Sequence, residues 1–197
     1  MPEKLLPLIL FSLAGAATPG PNNIMVTASG QAFGLYRTLP HILGVATGFA
    51  LLLIAFGLGL SQVFHRYPDL HRALRIAGAV YLLYLAWRIA SAGDAANGEA
   101  RSRPLSFLEA ALFQWVNVKG LTFAAGVMTA FTSPGGNLLN ELALIVAVFA
   151  GFTIPSLTVW CLFGVAISLV LKSERAHRSF NYAMGGLLAL SVALLFV

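Results

Sequence analysis

Between Leu5 and Tyr36 the chain carries no charged residue, and in the middle of that stretch stands Ala17-Thr18-Pro19-Gly20-Pro21-Asn22-Asn23. A charge-free run of this length reads as a membrane-crossing helix, yet its two prolines forbid a straight one. Neither has an amide hydrogen, so the carbonyls four residues earlier, of Gly15 and Ala17, lose their usual donors. Each unpaired carbonyl in hydrocarbon is costly. Such a break survives at membrane depth only where it faces other protein or a water-lined cavity, and in carriers that is where substrate binds.

The rest of the chain repeats the apolar theme. Of 197 residues, 58% are hydrophobic and only 10% charged, against roughly a quarter charged in soluble domains. This composition predicts an all-α integral membrane protein with six transmembrane helices, near Leu5–Gly34, Leu39–Phe64, Leu70–Ala92, Leu105–Phe131, Leu138–Leu171 and Phe180–Val197. The first run lacks a basic leader and a clear cleavage site, so it reads as a retained span rather than a signal peptide. In the third span, Arg75 and Arg88 must snorkel to the two membrane surfaces. The fifth is long enough to tilt or bend at Pro155. No soluble domain is left over, and Ser91–Pro104 reads as a flexible linker.

That linker divides one transporter domain, residues 1–197, into halves of about 1–95 and 100–197. Three crossings per half place the halves in opposite orientations, as two inverted three-helix repeats. Ala77-Gly78-Ala79 in span three is echoed weakly by Met184-Gly185-Gly186 in span six. The stronger echo is a second polar interruption, Gln114-Trp115-Val116-Asn117-Val118-Lys119-Gly120, in the counterpart of span one. Helices 1 and 4 are therefore both expected to break near mid-membrane, side by side at a central site.

The residue types in the two breaks suit a zwitterion. Lys119 lies deep in apolar sequence and needs a partner or an aqueous cavity. Gln114 and Asn117, three residues apart, share a helical face. Asn22 and Asn23 follow Pro19, Gly20 and Pro21 where a restarting helix offers free N–H groups and its positive pole, a setting for a carboxylate or for helix capping. Pro19, Gly20, Pro21, Asn22, Asn23, Gln114, Asn117 and Lys119 are thus the expected substrate-binding residues. The carboxylate would go to Lys119 and the helix start at Asn22 and Asn23, and the ammonium to the freed carbonyls of Gly15 and Ala17. Gly44 and Gly48 suit close helix packing, and Tyr81, Tyr84 and Trp87 suit packing and interface anchoring.

The net charge of +5 does not signal nucleic acid, because the basic residues stand in short loops beside spans, where they set orientation. Arg37, Arg88, Arg101, Arg103, Lys172, Arg175 and Arg178 on one side outnumber Lys4, Arg66, Arg72 and Arg75 on the other. Both termini are therefore expected in the periplasm. Cys161, the only cysteine, rules out an intrachain disulfide and leaves a transmembrane thiol-redox carrier without its second thiol. A divalent-cation exporter would want acidic, histidine or thiol ligands deep in the spans, and His41, His65, His71 and His177 read as span ends or loops. No metal, cofactor or catalytic residue is expected.

Thr18-Pro19-Gly20-Pro21-Asn22-Asn23, the glycines of span two, Ala77-Gly78-Ala79 with Tyr81-Leu82 and Trp87, and Phe107 through Lys119 together resemble the LysE/RhtB family of bacterial amino-acid exporters. Most members carry Asn-Pro-Lys at the second break; Asn117-Val118-Lys119 keeps the amide and the charge without the proline. That variant, with Pro104-Leu105-Ser106-Phe107, resembles the cysteine/O-acetylserine exporter branch. The resemblance implies a secondary transporter, not an enzyme, in the bacterial inner membrane. It implies export of small neutral or basic amino acids or their derivatives, driven by protons. Lys119 is the first choice for the group that titrates during the cycle. Glu109 is the second, although it also suits a helix cap. The partners expected are the amino-acid substrate and the lipid bilayer, with assembly into a homo-oligomer left open.

Overall fold

A computed structural model describes residues 2–92, 103–133 and 135–193. The middle of the expected linker, residues 93–102, and the end of the expected sixth span, residues 194–197, lie outside them. The described residues form helices and connections, with no strand among them: α1 (Pro2–Ala17), α2 (Pro21–Ala55), a π-helical turn (Phe56–Leu60), α3 (Ser61–Arg66), α4 (Pro68–Ala90), α5 (Phe107–Phe113), α6 (Val118–Phe131), α7 (Leu138–Val170) and α8 (Glu174–Ala193). Three stretches, Pro21–Arg66, Pro68–Ala90 and Leu138–Val170, are long and apolar enough to cross a membrane, and Lys4–Ala17 and Val118–Phe131 are shorter apolar helices.

Local chemistry explains the helix starts. Pro21 and Pro68 open α2 and α4, where a missing N–H costs nothing and the fixed φ is already helical. Ser106 and Glu109 close a reciprocal capping box at α5. Asn137 caps α7 by accepting from the Asn140 N–H at 3.1 Å. α7 then continues through Pro155 for 33 residues.

Although α2 is continuous by its hydrogen bonds, it is two helices. Gly34 has φ 77 and ψ 174, a left-handed excursion that glycine tolerates and other residues resist. Ser29 Oγ and His41 Nδ1 lie 3.4 Å apart, whereas twelve residues of straight helix would separate them by about 18 Å. The chain has folded back at Gly34, giving arms 21–33 and 35–55. Gly59, with φ 107, bends the π-turn beyond them. His41, read from sequence as standing at a span end or in a loop, is completely buried and lies beside Ser29 of the other arm.

The helices meet backbone to backbone at small residues. A Cβ on Gly30 would overlap the Cys161 carbonyl, and one on Gly164 the Thr27 carbonyl, so arm 21–33 lies directly against α7. Gly44 and Gly48 do the same for arm 35–55 against the Phe107 and Ala111 carbonyls of α5, the close packing expected of that pair. Gly185 seats α8 on Ala86 and Ala90 of α4, and Gly78 seats α4 on the Val116 carbonyl. Cys161 is wholly buried and packs as a small apolar residue.

Two apolar clusters fill the interior. One gathers Met25, Ile42, Leu82, Phe113, Leu157 and Leu188. The other gathers Leu8, Leu52, Phe56, Leu121, Ile145 and Phe149. Around them the outer surface is also apolar, with Leu6, Leu58, Val80, Trp87, Leu112, Val159 and Leu169 all largely exposed. An exterior of that kind suits contact with lipid. Trp87 and Tyr84 lie on it, as interface anchors do, while Tyr81 turns inward against Phe113, with ring centroids 5.8 Å apart.

Candidate transport site at the paired helix breaks

Between α1 and α2 the chain is non-helical at Thr18–Gly20, and between α5 and α6 at Gln114–Asn117. The two interruptions touch. Asn22 Nδ2 donates to Gln114 Oε1 at 2.8 Å, and Gln114 Nε2 donates back to Asn22 Oδ1 at 3.2 Å. Asn117 Nδ2 donates to the same Gln114 oxygen at 3.3 Å. Lys119 Nζ donates to the Thr18 carbonyl at 2.8 Å. Gly20 lets the lysine lie across the first break, for a Cβ there would come within 2.9 Å of both Lys119 Cδ and Nζ.

The amides are therefore not capping groups. The N-cap of α2 is Gly20, in extended conformation, and that of α6 is Asn117; neither end has a side-chain cap. Asn22 is spent on Gln114. Asn23 donates to the Ala16 and Thr18 carbonyls, both at 3.2 Å. Ser156 of α7 adds a second donor to Ala16 at 2.8 Å. The last backbone bond of α1 is Thr18 N–H to the Ala14 carbonyl at 3.0 Å, and side chains engage the Ala16 and Thr18 carbonyls beyond it.

Three helix poles converge here. α2 and α6 present their N-terminal turns, where the first N–H groups have no partner within the helix and the dipole is positive. α1 presents its negative C-terminal end. Lys119 occupies the second position of α6, where a cation opposes the helix dipole, and its bond to Thr18 places that charge against the α1 carbonyls instead.

These elements enclose a cavity of about 80 Å³. Gly20, Pro21, Asn22, Asn23, Gln114, Asn117 and Lys119 all line it, whereas Pro19 faces a neighbouring cavity. Among the described residues lining it, Lys119 alone is ionisable. The volume gives room for roughly five to eight water-sized groups, the scale of a small amino acid. The remaining wall is mostly apolar and was not foreseen: Val45 and Phe49 from arm 35–55, Phe123 from α6, and Phe149, Thr153 and Leu157 from α7. Phe149 meets Phe49 in a tilted contact and Phe123 edge to face, with centroids at 5.6 and 6.1 Å. Phe149, Thr153 and Leu157 recur every four residues, a spacing that puts them on one face of a helix. That periodicity was legible, although nothing in span five marked the face as cavity-lining.

Glu109 stands apart from this site. Its carboxylate accepts from Arg103 at 2.6 and 2.9 Å and from the Ser106 N–H at 2.7 Å. It is a helix cap and ion-pair partner, as its position at a helix start suggested. Among the described residues no three His, Cys, Asp or Glu side chains come together as metal ligands.

Comparison with known families assigns the class: the chain is a membrane translocator, not an enzyme. The model described as "LysE type translocator" matches residues 13–197, and the chain belongs to that family. It is 29% identical over 185 residues to the cysteine/O-acetylserine efflux protein of Salmonella typhimurium, covering 91% of this chain and 89% of the relative. It is 30% identical over 140 residues to the protein of the same description from Escherichia coli O157:H7, covering 71% of each. No solved structure matches at a significant level.

Proposed function

We propose that the protein is a proton-coupled exporter of small amino acids or their derivatives in the bacterial inner membrane, and that the paired breaks hold the substrate. The observation that carries this reading is the double link between the breaks, Asn22 to Gln114 and Lys119 to Thr18, around a cavity the size of a small amino acid. The Lys119 ammonium occupies the Thr18 carbonyl. A zwitterion replaces both halves of that contact. Its ammonium takes the α1 carbonyl end, and its carboxylate takes Lys119 together with the N-terminal turns of α2 and α6. The efflux relatives are named for cysteine and O-acetylserine, and the short, partly apolar cavity suits uncharged side chains of that length.

The chain is a single transporter domain of six spans arranged as two inverted repeats, about 1–95 and 100–197. The packing supports this: α1, which leads into the first break, packs on α7, and α5, which leads into the second, packs on arm 35–55. Exchange of the halves converts one pair into the other. The charge bias of the loops places both termini in the periplasm. Lys119 carries the proton in the coupling step, since it is the ionisable group at the site and Glu109 is engaged with Arg103.

Efflux of labelled cysteine, O-acetylserine and a panel of other amino acids from proteoliposomes, with and without an imposed pH gradient, tests the reading. Wild type is expected to respond to the gradient. Lys119→Met is expected to lose efflux while remaining in the membrane, and Lys119→Arg to be impaired because the wider guanidinium does not fit a site built for a compact ammonium. Normal efflux by Lys119→Met would overturn the proposal.

A further inference from the structure

The amide network between the breaks leaves one acceptor over. Gln114 cannot be turned round, because its Nε2 donates to the Ala110 backbone carbonyl at 2.9 Å as well as to Asn22 Oδ1 at 3.2 Å. Its Oε1 must therefore accept, and it does so from Asn22 at 2.8 Å and from Asn117 at 3.3 Å. Asn117 in turn has to offer that oxygen its Nδ2, since a carbonyl oxygen has no hydrogen to give. The Asn117 Oδ1 left over has no hydrogen-bond partner among the described residues. Asn117 is only 3% exposed and lines the transport cavity. Three residues on, Gly120 keeps the space beside this amide clear, for a Cβ there would lie 3.6 Å from Asn117 Nδ2. A buried acceptor without a donor is costly and uncommon, and at a binding cavity it calls for a donor on the ligand.

An α-amino acid brings three such donors on its ammonium. The carbonyl end of α1 cannot take them all at Ala16 and Thr18. Ala16 already accepts from Asn23 and Ser156. Thr18 accepts from Asn23 and Lys119, so departure of the lysine frees one place. Asn117 is the N-cap of α6, and in an α-amino acid the ammonium stands on the carbon next to the carboxylate. A carboxylate held on the first turn of α6 thus brings its ammonium to the residue that opens the helix. We propose that Asn117 Oδ1 receives the α-ammonium of the transported substrate, which makes Asn117 the residue that tells an α-amino acid from a carboxylate lacking the amino group. This assignment rests on the export reading above.

Binding is followed as the rise in melting temperature of the purified protein in detergent with ligand concentration, which needs no transport. The probes are L-cysteine; L-alanine, which lacks the thiol; and 3-mercaptopropanoate, which lacks the ammonium. Asn117→Ala leaves Gln114 Oε1 its bond from Asn22, so the network stays paired. It is expected to weaken cysteine and alanine about tenfold each and to leave 3-mercaptopropanoate unchanged. Asn117→Ser, a good N-cap with a shorter reach, is expected to do the same and serves where the alanine variant does not fold. Weaker binding of cysteine and 3-mercaptopropanoate with alanine unchanged would give the acceptor to the substrate side chain and overturn the proposal. No change in any probe, or an equal loss of all three, would overturn it as well. Lys119→Met separates the two readings. If it weakens all three probes while the Asn117 variants change none, the central site stands and only the assignment of the ammonium falls; if wild type binds none of the three, both fall.

Discussion

The two helix breaks reach the same cavity by different physical routes. The first is imposed by covalent structure: Pro19 and Pro21 supply no N–H, so α1 has to end and α2 has to begin afresh. The second contains no proline. There the N–H groups of Gln114, Trp115 and Val116 bond three residues back, to Ala111, Leu112 and Phe113, tightening the end of α5 into a 3₁₀ turn. The Gln114 side chain takes the Ala110 carbonyl at 2.9 Å, the acceptor its own backbone N–H would use in a continuous helix. Gly78 then holds the Val116 carbonyl from the α4 side. One break is written into the local sequence, and the other is held by its neighbours.

This contrast makes the second break the more vulnerable to remote substitution. Gly78→Val places a branched side chain on the Val116 carbonyl, a backbone atom with no flexible end to yield. Overpacking of this kind costs on the order of 1–3 kcal/mol. A lower melting temperature in detergent, with loss of efflux, is the expected outcome. Wild-type melting and efflux in this variant would mean that the second break does not depend on α4.

The converse substitution is expected to do almost nothing. Val118 is the first residue of α6, and Asn117 before it has φ −78 and ψ 98, an extended conformation that a following proline favours. Proline is well suited to the first position of a helix. Val118→Pro should keep efflux within about twofold and raise stability by about 0.4–1 kcal/mol through the unfolded chain. A large loss of efflux would show that the second break must re-form a continuous helix during the cycle.

The same contrast governs what the sequence made legible. Pro19 and Pro21 announce the first break because their effect is local, and the pairing of Asn22 and Lys119 with the other half followed from matching the two interruptions. The turn at Gly34 was anticipated only as the end of a span, since a glycine in an apolar run signals packing as readily as reversal. The burial of His41 was not legible for the same reason: it depends on how two arms of α2 fold together, which no window of neighbouring residues reports. Phe149, Thr153 and Leu157 line the cavity from a helix with no interruption of its own, so their role is set by what α7 packs against.

Whether the two breaks act as one site is tested most directly by a double-mutant cycle on efflux with Asn22→Ala and Gln114→Ala. The side chains exchange two hydrogen bonds across the halves, and residues so joined show coupling of about 0.5–3 kcal/mol. Each single variant is expected to lower efflux, and the double variant to be little worse than either alone. Independent effects that multiply in the double variant would contradict a single site shared by both breaks.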